Sequence, residues 1–150
     1  MATLGFDTAT EVLTVAVTRD GEAVAEGEHG PGPDGRPRHQ ALLLTEIERC
    51  VQASGGWDEI ERTAGGLGPG SYTGLRIGLA PSRALARARE LDLRGISSLS
   101  ALARGIGELP EADGRPRLPV LDARRSQAFA ELHQPGGGSP QGPMVLSPEE

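Results

Sequence analysis

The sequence predicts an α/β domain, a mixed β-sheet covered by helices. Its first thirty residues read as three short strands in succession, and strand and helix patterns alternate after them. Its apolar content of 37% includes only 3% aromatic residues, so the core must rest on Leu, Val, Ile and Ala. A glycine-rich turn, Gly65-Gly66-Leu67-Gly68-Pro69-Gly70, joins a strand pattern to a long amphipathic segment.

Residues 3–7 read as the first strand and 12–18 as the second, rich in β-branched side chains. Asp20-Gly21 is a turn signal, and 22–28 returns as a third strand to complete an antiparallel meander. The stretch 30–37, crowded with Gly and Pro, reads as an exposed, mobile loop. A helix follows over 39–53 and ends at Ser54-Gly55-Gly56. Residues 62–66 form a short strand into the glycine turn, 73–91 a long helix, 93–96 a strand and 98–109 another helix. This places a first lobe at 1–109. Residues 110–119 read as a linker, after which 118–122 and 127–133 are strands of a second lobe spanning 110–150, interrupted by a flexible loop at 136–140. Ser147-Pro148-Glu149-Glu150 combines an N-cap serine, proline at the first helical position and a glutamate three residues after the cap. With no helix after this start, the second lobe is expected to be truncated.

A glycine turn before a helix brings backbone close to something. One reading is a phosphate cradle at a helix N-terminus, and the other is a structural turn or packing interface. The standard phosphate loops do not match. Gly70 is followed by Ser71 rather than by Lys-Ser/Thr, and Thr73 stands where a dinucleotide loop has its third glycine. In the helix that follows, Gly74, Gly78, Ser82 and Ala86 recur every fourth residue. Such a ridge admits a partner helix at short range, or packs on the helix's own sheet. Pro81 within this helix predicts a kink near 77–81, since an internal proline costs about 3 kcal/mol. In the preceding helix Leu43, Ile47, Cys50 and Val51 form the core stripe, and Ala41, Leu42 and Leu44 leave apolar surface beyond it.

All 15 basic residues are arginine, which excludes Schiff-base lysine chemistry and a phosphate-loop lysine. The net charge of −6 argues against strong unaided nucleic-acid binding. The short pairs Arg115/Arg117 and Arg124/Arg125 read as solvated surface. A single cysteine excludes an internal disulfide and fits a reducing cytoplasm. No run reaches the roughly 20 apolar residues of a membrane helix, and no secretory leader pattern opens the chain. His29, His39 and His133 are far apart and lack paired metal-ligand spacing, so no metal site is expected.

Gly68-Pro69-Gly70-Ser71-Tyr72-Thr73-Gly74-Leu75-Arg76-Ile77-Gly78 resembles the motif of the TsaB (YeaZ) family. The resemblance extends to Leu4-Gly5-Phe6-Asp7-Thr8-Ala9-Thr10, to His39 at the head of an apolar helix, to Ile96-Ser97-Ser98-Leu99 and to Leu121-Asp122-Ala123-Arg124-Arg125, covering residues 3 to 133. It implies half of the actin-like, sugar-kinase-like (ribonuclease H-like) fold, with part of a second similar lobe. It also implies a non-catalytic subunit that supports transfer of a threonylcarbamoyl group to the tRNA adenosine beside the anticodon, together with a TsaD-like transferase and a TsaE-like ATPase. On that reading ATP and metal belong to the partner subunits, tRNA is held mainly by the complex, and a homodimer is the alternative when the transferase is absent.

Family members pair through the two long helices, which makes His39, Leu42, Leu43, Ile47, Gly74, Arg76, Gly78 and Ser82 the candidate partner contacts. Arg76 would orient the glycine turn or cross the interface. Gly78→Leu is expected to abolish association and leave the domain folded. Actin-like ATPases carry Asp, Gly and a hydroxyl residue at the first strand's end; Asp7, Thr8 and Thr10 supply the acid and hydroxyls, but Ala9 stands in the glycine's place. That turn is either a vestigial nucleotide site or a capped strand end. The rival function is an autonomous ATP-binding kinase or hydrolase of the actin-like superfamily, whose ATP affinity would fall in Asp7→Ala. No Ser-His-Asp or metal constellation supports a peptidase.

Overall fold

A computed structural model describes residues 1–136 and 140–147. The chain forms two compact units, Met1–Leu67 with Ser71–Ile96, and Gly68–Gly70 with Ser97–Glu150.

The first unit is built on a five-stranded sheet in the order β3-β2-β1-β4-β5. The antiparallel meander is β1 (Ala2–Asp7), β2 (Leu13–Arg19) and β3 (Glu22–His29), while β4 (Ile60–Gly66) and β5 (Asp92–Ile96) add in parallel on the other side of β1. Parallel neighbours require a crossover, and helix α2 (Tyr72–Arg89) supplies it between β4 and β5. Helix α1 (His39–Ala53) connects β3 to β4.

Strand alternation fixes the core. Ala2, Leu4 and Phe6 of β1 and Leu13, Val15 and Val17 of β2 are buried on one face, beneath Leu43, Ile47, Cys50 and Val51 of α1. Each such aliphatic side chain contributes about 1.5 to 3 kcal/mol by leaving water. Ile77 and Leu85 of α2 pack against the same cluster, so the two helices share that face of the sheet. Cys50 is fully buried, and burial pushes its thiol above its usual range, as suits a small core residue.

Two polar clusters tie the periphery of this unit. Glu46, almost buried on α1, lies 3.0 Å from Nε2 of His29 and receives the guanidinium of Arg49. Gly27 on β3 makes room, since a Cβ there would overlap the Glu46 carboxylate. Beyond the end of α1, the Trp57 indole donates to Glu48 Oε2 at 2.9 Å, and the Arg89 guanidinium stacks 4.0 Å above the indole centroid.

Helix α2 runs unbroken through Pro81, where the ring removes the N–H that would bond the Ile77 carbonyl. Ser71 caps its start by accepting from Gly74 N–H at 3.2 Å. Glu90, in the left-handed region at φ 55°, ends it.

The second unit contains α3 (Ser98–Gly107) and an antiparallel sheet, β6-β7-β8, of Val120–Arg124, Gln127–Leu132 and Gln141–Leu146. The two compact units part between Ile96 and Ser97, with α3 in the second, where Ser100 donates to Glu131 of β7 at 2.8 Å. The expected linker is partly ordered: Pro110–Ala112 forms a 3-10 turn, and Arg117 pairs with His133 across a β-bridge. Strand β8 was not expected from sequence, since its Gly142-Pro143 pair breaks the usual strand pattern. The expected loop at 136–140 falls mostly, and the helix start at 147–150 largely, outside the described residues.

Arg49 and His29 hold the Glu46 carboxyl below its ordinary range, although burial opposes them. A depressed carboxylate gives stability that is complete above the unfolded value near pH ~4.3 and lost as pH falls through the lower folded value. Glu46→Gln should cost about 1 to 3 kcal/mol at neutral pH and flatten the acid limb of the stability curve, as denaturant titrations between pH 3 and 7 would measure.

Candidate functional site

The end of β1 and the start of α2 meet in a fully bonded turn. Asp7 Oδ1 accepts from Ala9 N–H at 2.7 Å, which closes an Asx-type turn. Thr8 is buried and its hydroxyl donates to the Gly74 carbonyl at 2.7 Å. The Ala9 carbonyl accepts from Ser71 N–H at 2.7 Å. Thr10 Oγ1 accepts from Val12 N–H at 3.2 Å. His39, at the head of α1, places Nε2 2.8 Å from the Thr10 carbonyl. A carbonyl only accepts, so Nε2 carries the hydrogen.

This closeness exists because side chains are missing. A Cβ on Gly74 would overlap the Thr8 carbonyl, and one on Gly78 would overlap the Thr8 hydroxyl. On β4, a Cβ on Gly65 would run into Ser82, and one on Gly66 into the Asp7 carboxylate. The ridge of Gly74, Gly78, Ser82 and Ala86 is therefore buried inside its own unit, against β4 and the Asp7–Thr10 turn.

The residues expected from sequence as partner contacts fall in different environments. Gly74, Gly78 and Ser82 are intramolecular, and so are the buried Leu43 and Ile47 of the core stripe and His39 on the turn. Leu42 is only half-buried, and Arg76 is exposed with its guanidinium 5.5 Å from the Tyr72 ring centroid. Arg76 faces solvent with Tyr72, itself 75% exposed. The exposed apolar positions on these helices are Ala41 and Leu44 of α1, with Leu44 64% exposed, and Ala80, Ala84 and Ala88 of α2, with Thr73 exposed at the start of α2. The two four-residue series on α2 look alike in sequence. What separates them is the packing beneath the first: Gly65 on β4 receives Ser82, and the Thr8 turn receives Gly74 and Gly78.

The Asp7 turn is closed on itself by one hydrogen bond. Its central N–H, on Ala9, is taken by Asp7, and Asp7 lies over Gly66. Among the described residues no group of three or more His, Cys, Asp or Glu is placed to hold a metal, and no helix is long and apolar enough to cross a membrane.

A five-stranded sheet of order 3-2-1-4-5, followed by a second, smaller sheet, is the architecture of the actin-like and sugar-kinase-like class. The ROK hexokinase of Thermus thermophilus shares this fold at 18% identity, with a TM-score of 0.57 over 94% of this chain and 49% of that one. The family model for TsaD, tRNA N6-adenosine threonylcarbamoyltransferase, matches residues 34–139. The tRNA threonylcarbamoyladenosine biosynthesis protein TsaB of Escherichia coli (strain K12) is 34% identical over 99% of this chain and 64% of its own length. YeaZ from Pseudomonas aeruginosa superimposes with a TM-score of 0.79 at 26% identity, over 99% of this chain and 68% of that one. The chain belongs to the family that the matched model describes, and its relatives place it in the TsaB (YeaZ) branch. It spans 51% to 64% of the length of the first curated relatives it matches.

Gly78→Leu should unfold or strongly destabilise the first unit, by about 3 kcal/mol or more, because the side chain must displace Thr8. That reverses the expectation of a folded, association-defective variant, and a thermal melt decides between them. Asp7→Ala should cost about 1 kcal/mol through loss of the turn cap, read by the same melt.

Proposed function

We propose that this chain is a non-catalytic subunit in biosynthesis of threonylcarbamoyladenosine on tRNA, activating a TsaD-like transferase with a TsaE-like ATPase. Its TsaB-named relatives support the pathway. The non-catalytic role rests on one observation: Asp7 spends its carboxylate on the N–H of Ala9, in the turn where actin-like enzymes receive phosphate. ATP and metal then act on the partner subunits, and tRNA is bound mainly by the complex, in the cytoplasm. The face offered to the transferase, or to a second copy when the transferase is absent, is the exposed apolar seam along α1 and α2.

An apolar seam of small side chains suits a close helix-on-helix contact, because a flat surface lets the partner's larger residues fill the interface. Leu44 is its most prominent anchor. The rival reading, an autonomous ATP-binding enzyme, requires nucleotide affinity that falls in Asp7→Ala, and calorimetry with ATP tests it directly.

Reconstitution with each component omitted in turn should show modification lost without this chain and retained with Asp7→Ala; loss of modification with a folded Asp7→Ala variant would overturn the non-catalytic role. Ala84→Arg and Leu44→Arg should each keep the melting temperature within a few degrees and weaken capture of the transferase by tenfold or more, a cost of about 1.4 kcal/mol. Co-purification at wild-type levels by both variants would move the interface elsewhere.

A further inference from the structure

Helix α2 carries four arginines and no carboxylate, in a chain whose net charge is −6. At about 100° per residue, Arg76, Arg83 and Arg87 fall within about 40° of one another, with Tyr72 about 20° beyond them. All four are exposed. Ile77 and Leu85 mark the flank of α2 that packs on the core shared with α1. The arginines lie on the opposite shoulder, with Ala80 of the apolar seam about 20° from Arg87, so the basic stripe borders that seam.

Arg76 lies 5.5 Å from the Tyr72 ring centroid, within the stripe. Arg19, Arg49, Arg62, Arg94 and Arg104 each pair with a carboxylate, whereas among the described residues none lies within ion-pair distance of Arg76, Arg83 or Arg87. Arg83 and Arg87 are like charges four residues apart, an arrangement that weakens a helix. Arg87 complements the helix dipole in the last turn, but Arg76, near the first turn, does not. An exposed aromatic ring set among unpaired guanidinium groups matches the chemistry of an RNA backbone with an accessible base. Guanidinium binds phosphate through paired N–H groups, and a tyrosine face stacks on a base.

We propose that the α2 shoulder of Tyr72, Arg76, Arg83 and Arg87 is an auxiliary contact for the phosphate backbone of the tRNA substrate. The inference rests on the tRNA-modification reading above.

Anisotropy of a fluorescently labelled tRNA with the intact chain, across a salt series, tests this. Each phosphate contact contributes about 0.7 to 0.9 to the slope of log affinity against log salt. The triple variant Arg76→Gln/Arg83→Gln/Arg87→Gln should therefore lose about 2 units of slope and about tenfold in affinity at low salt. The corresponding Arg→Lys triple should keep the slope, and Arg104→Gln, which removes a paired surface arginine, should change neither quantity. Failure of the wild-type chain to bind, or an unchanged slope in the glutamine triple, overturns the inference. So does a glutamine triple that keeps tRNA affinity and loses the transferase, which would assign the stripe to an acidic protein surface. The same proteins in the reconstituted reaction separate the two readings. If modification proceeds without this chain, the tRNA-modification reading fails, while the salt slope still decides the stripe.

Discussion

The first unit depends on how closely α2 can approach the end of β1. Four positions without side chains, Gly65 and Gly66 on β4 and Gly74 and Gly78 on α2, let the Thr8 hydroxyl reach the Gly74 carbonyl and let Asp7 lie over the sheet. The turn's carbonyls are then used by Ser71 N–H and the His39 ring. The glycines thus exchange side-chain packing for hydrogen bonds from the Thr8 hydroxyl, Ser71 N–H and the His39 ring to backbone carbonyls.

That exchange also sets the functional reading. An actin-like turn that binds phosphate must leave backbone N–H groups facing outward, and Ala9 N–H faces its own aspartate. On the proposed reading, recognition falls to the outer side of α1 and α2, which has an apolar part and an adjoining basic part.

Much of this was legible in the sequence. The meander, the order of strands and helices and the bounds of α1 followed from hydrophobic period and turn chemistry, because the first lobe's core is regular and aliphatic. The choice between the two faces of α2 was not legible. Gly74, Gly78, Ser82 and Ala86 and the series through Ala80 and Ala84 have similar size and spacing, and only the strand packed beneath them distinguishes them. The division after Ile96 was hidden for a similar reason: Ser97-Ser98 reads as an ordinary helix start, and the long-range bond from Ser100 to Glu131 leaves no local trace. Pro81, where a kink was expected, lies within a continuous helix. The helix continues across the missing hydrogen bond because its buried face, at Gly78 and Ser82, is fixed by the turn and the sheet, and Ser82 Oγ bonds the Gly78 carbonyl at 3.0 Å.

Trp57 is the chain's only tryptophan, and its indole is held between a carboxylate from α1 and a guanidinium from α2. Indole emission responds to the charges around the ring, so this residue is an intrinsic optical gauge of the spacing between the two helices' C-terminal ends. Because those helices carry the apolar seam and the arginine stripe, any binding event that shifts one against the other writes itself into the fluorescence of the unlabelled protein.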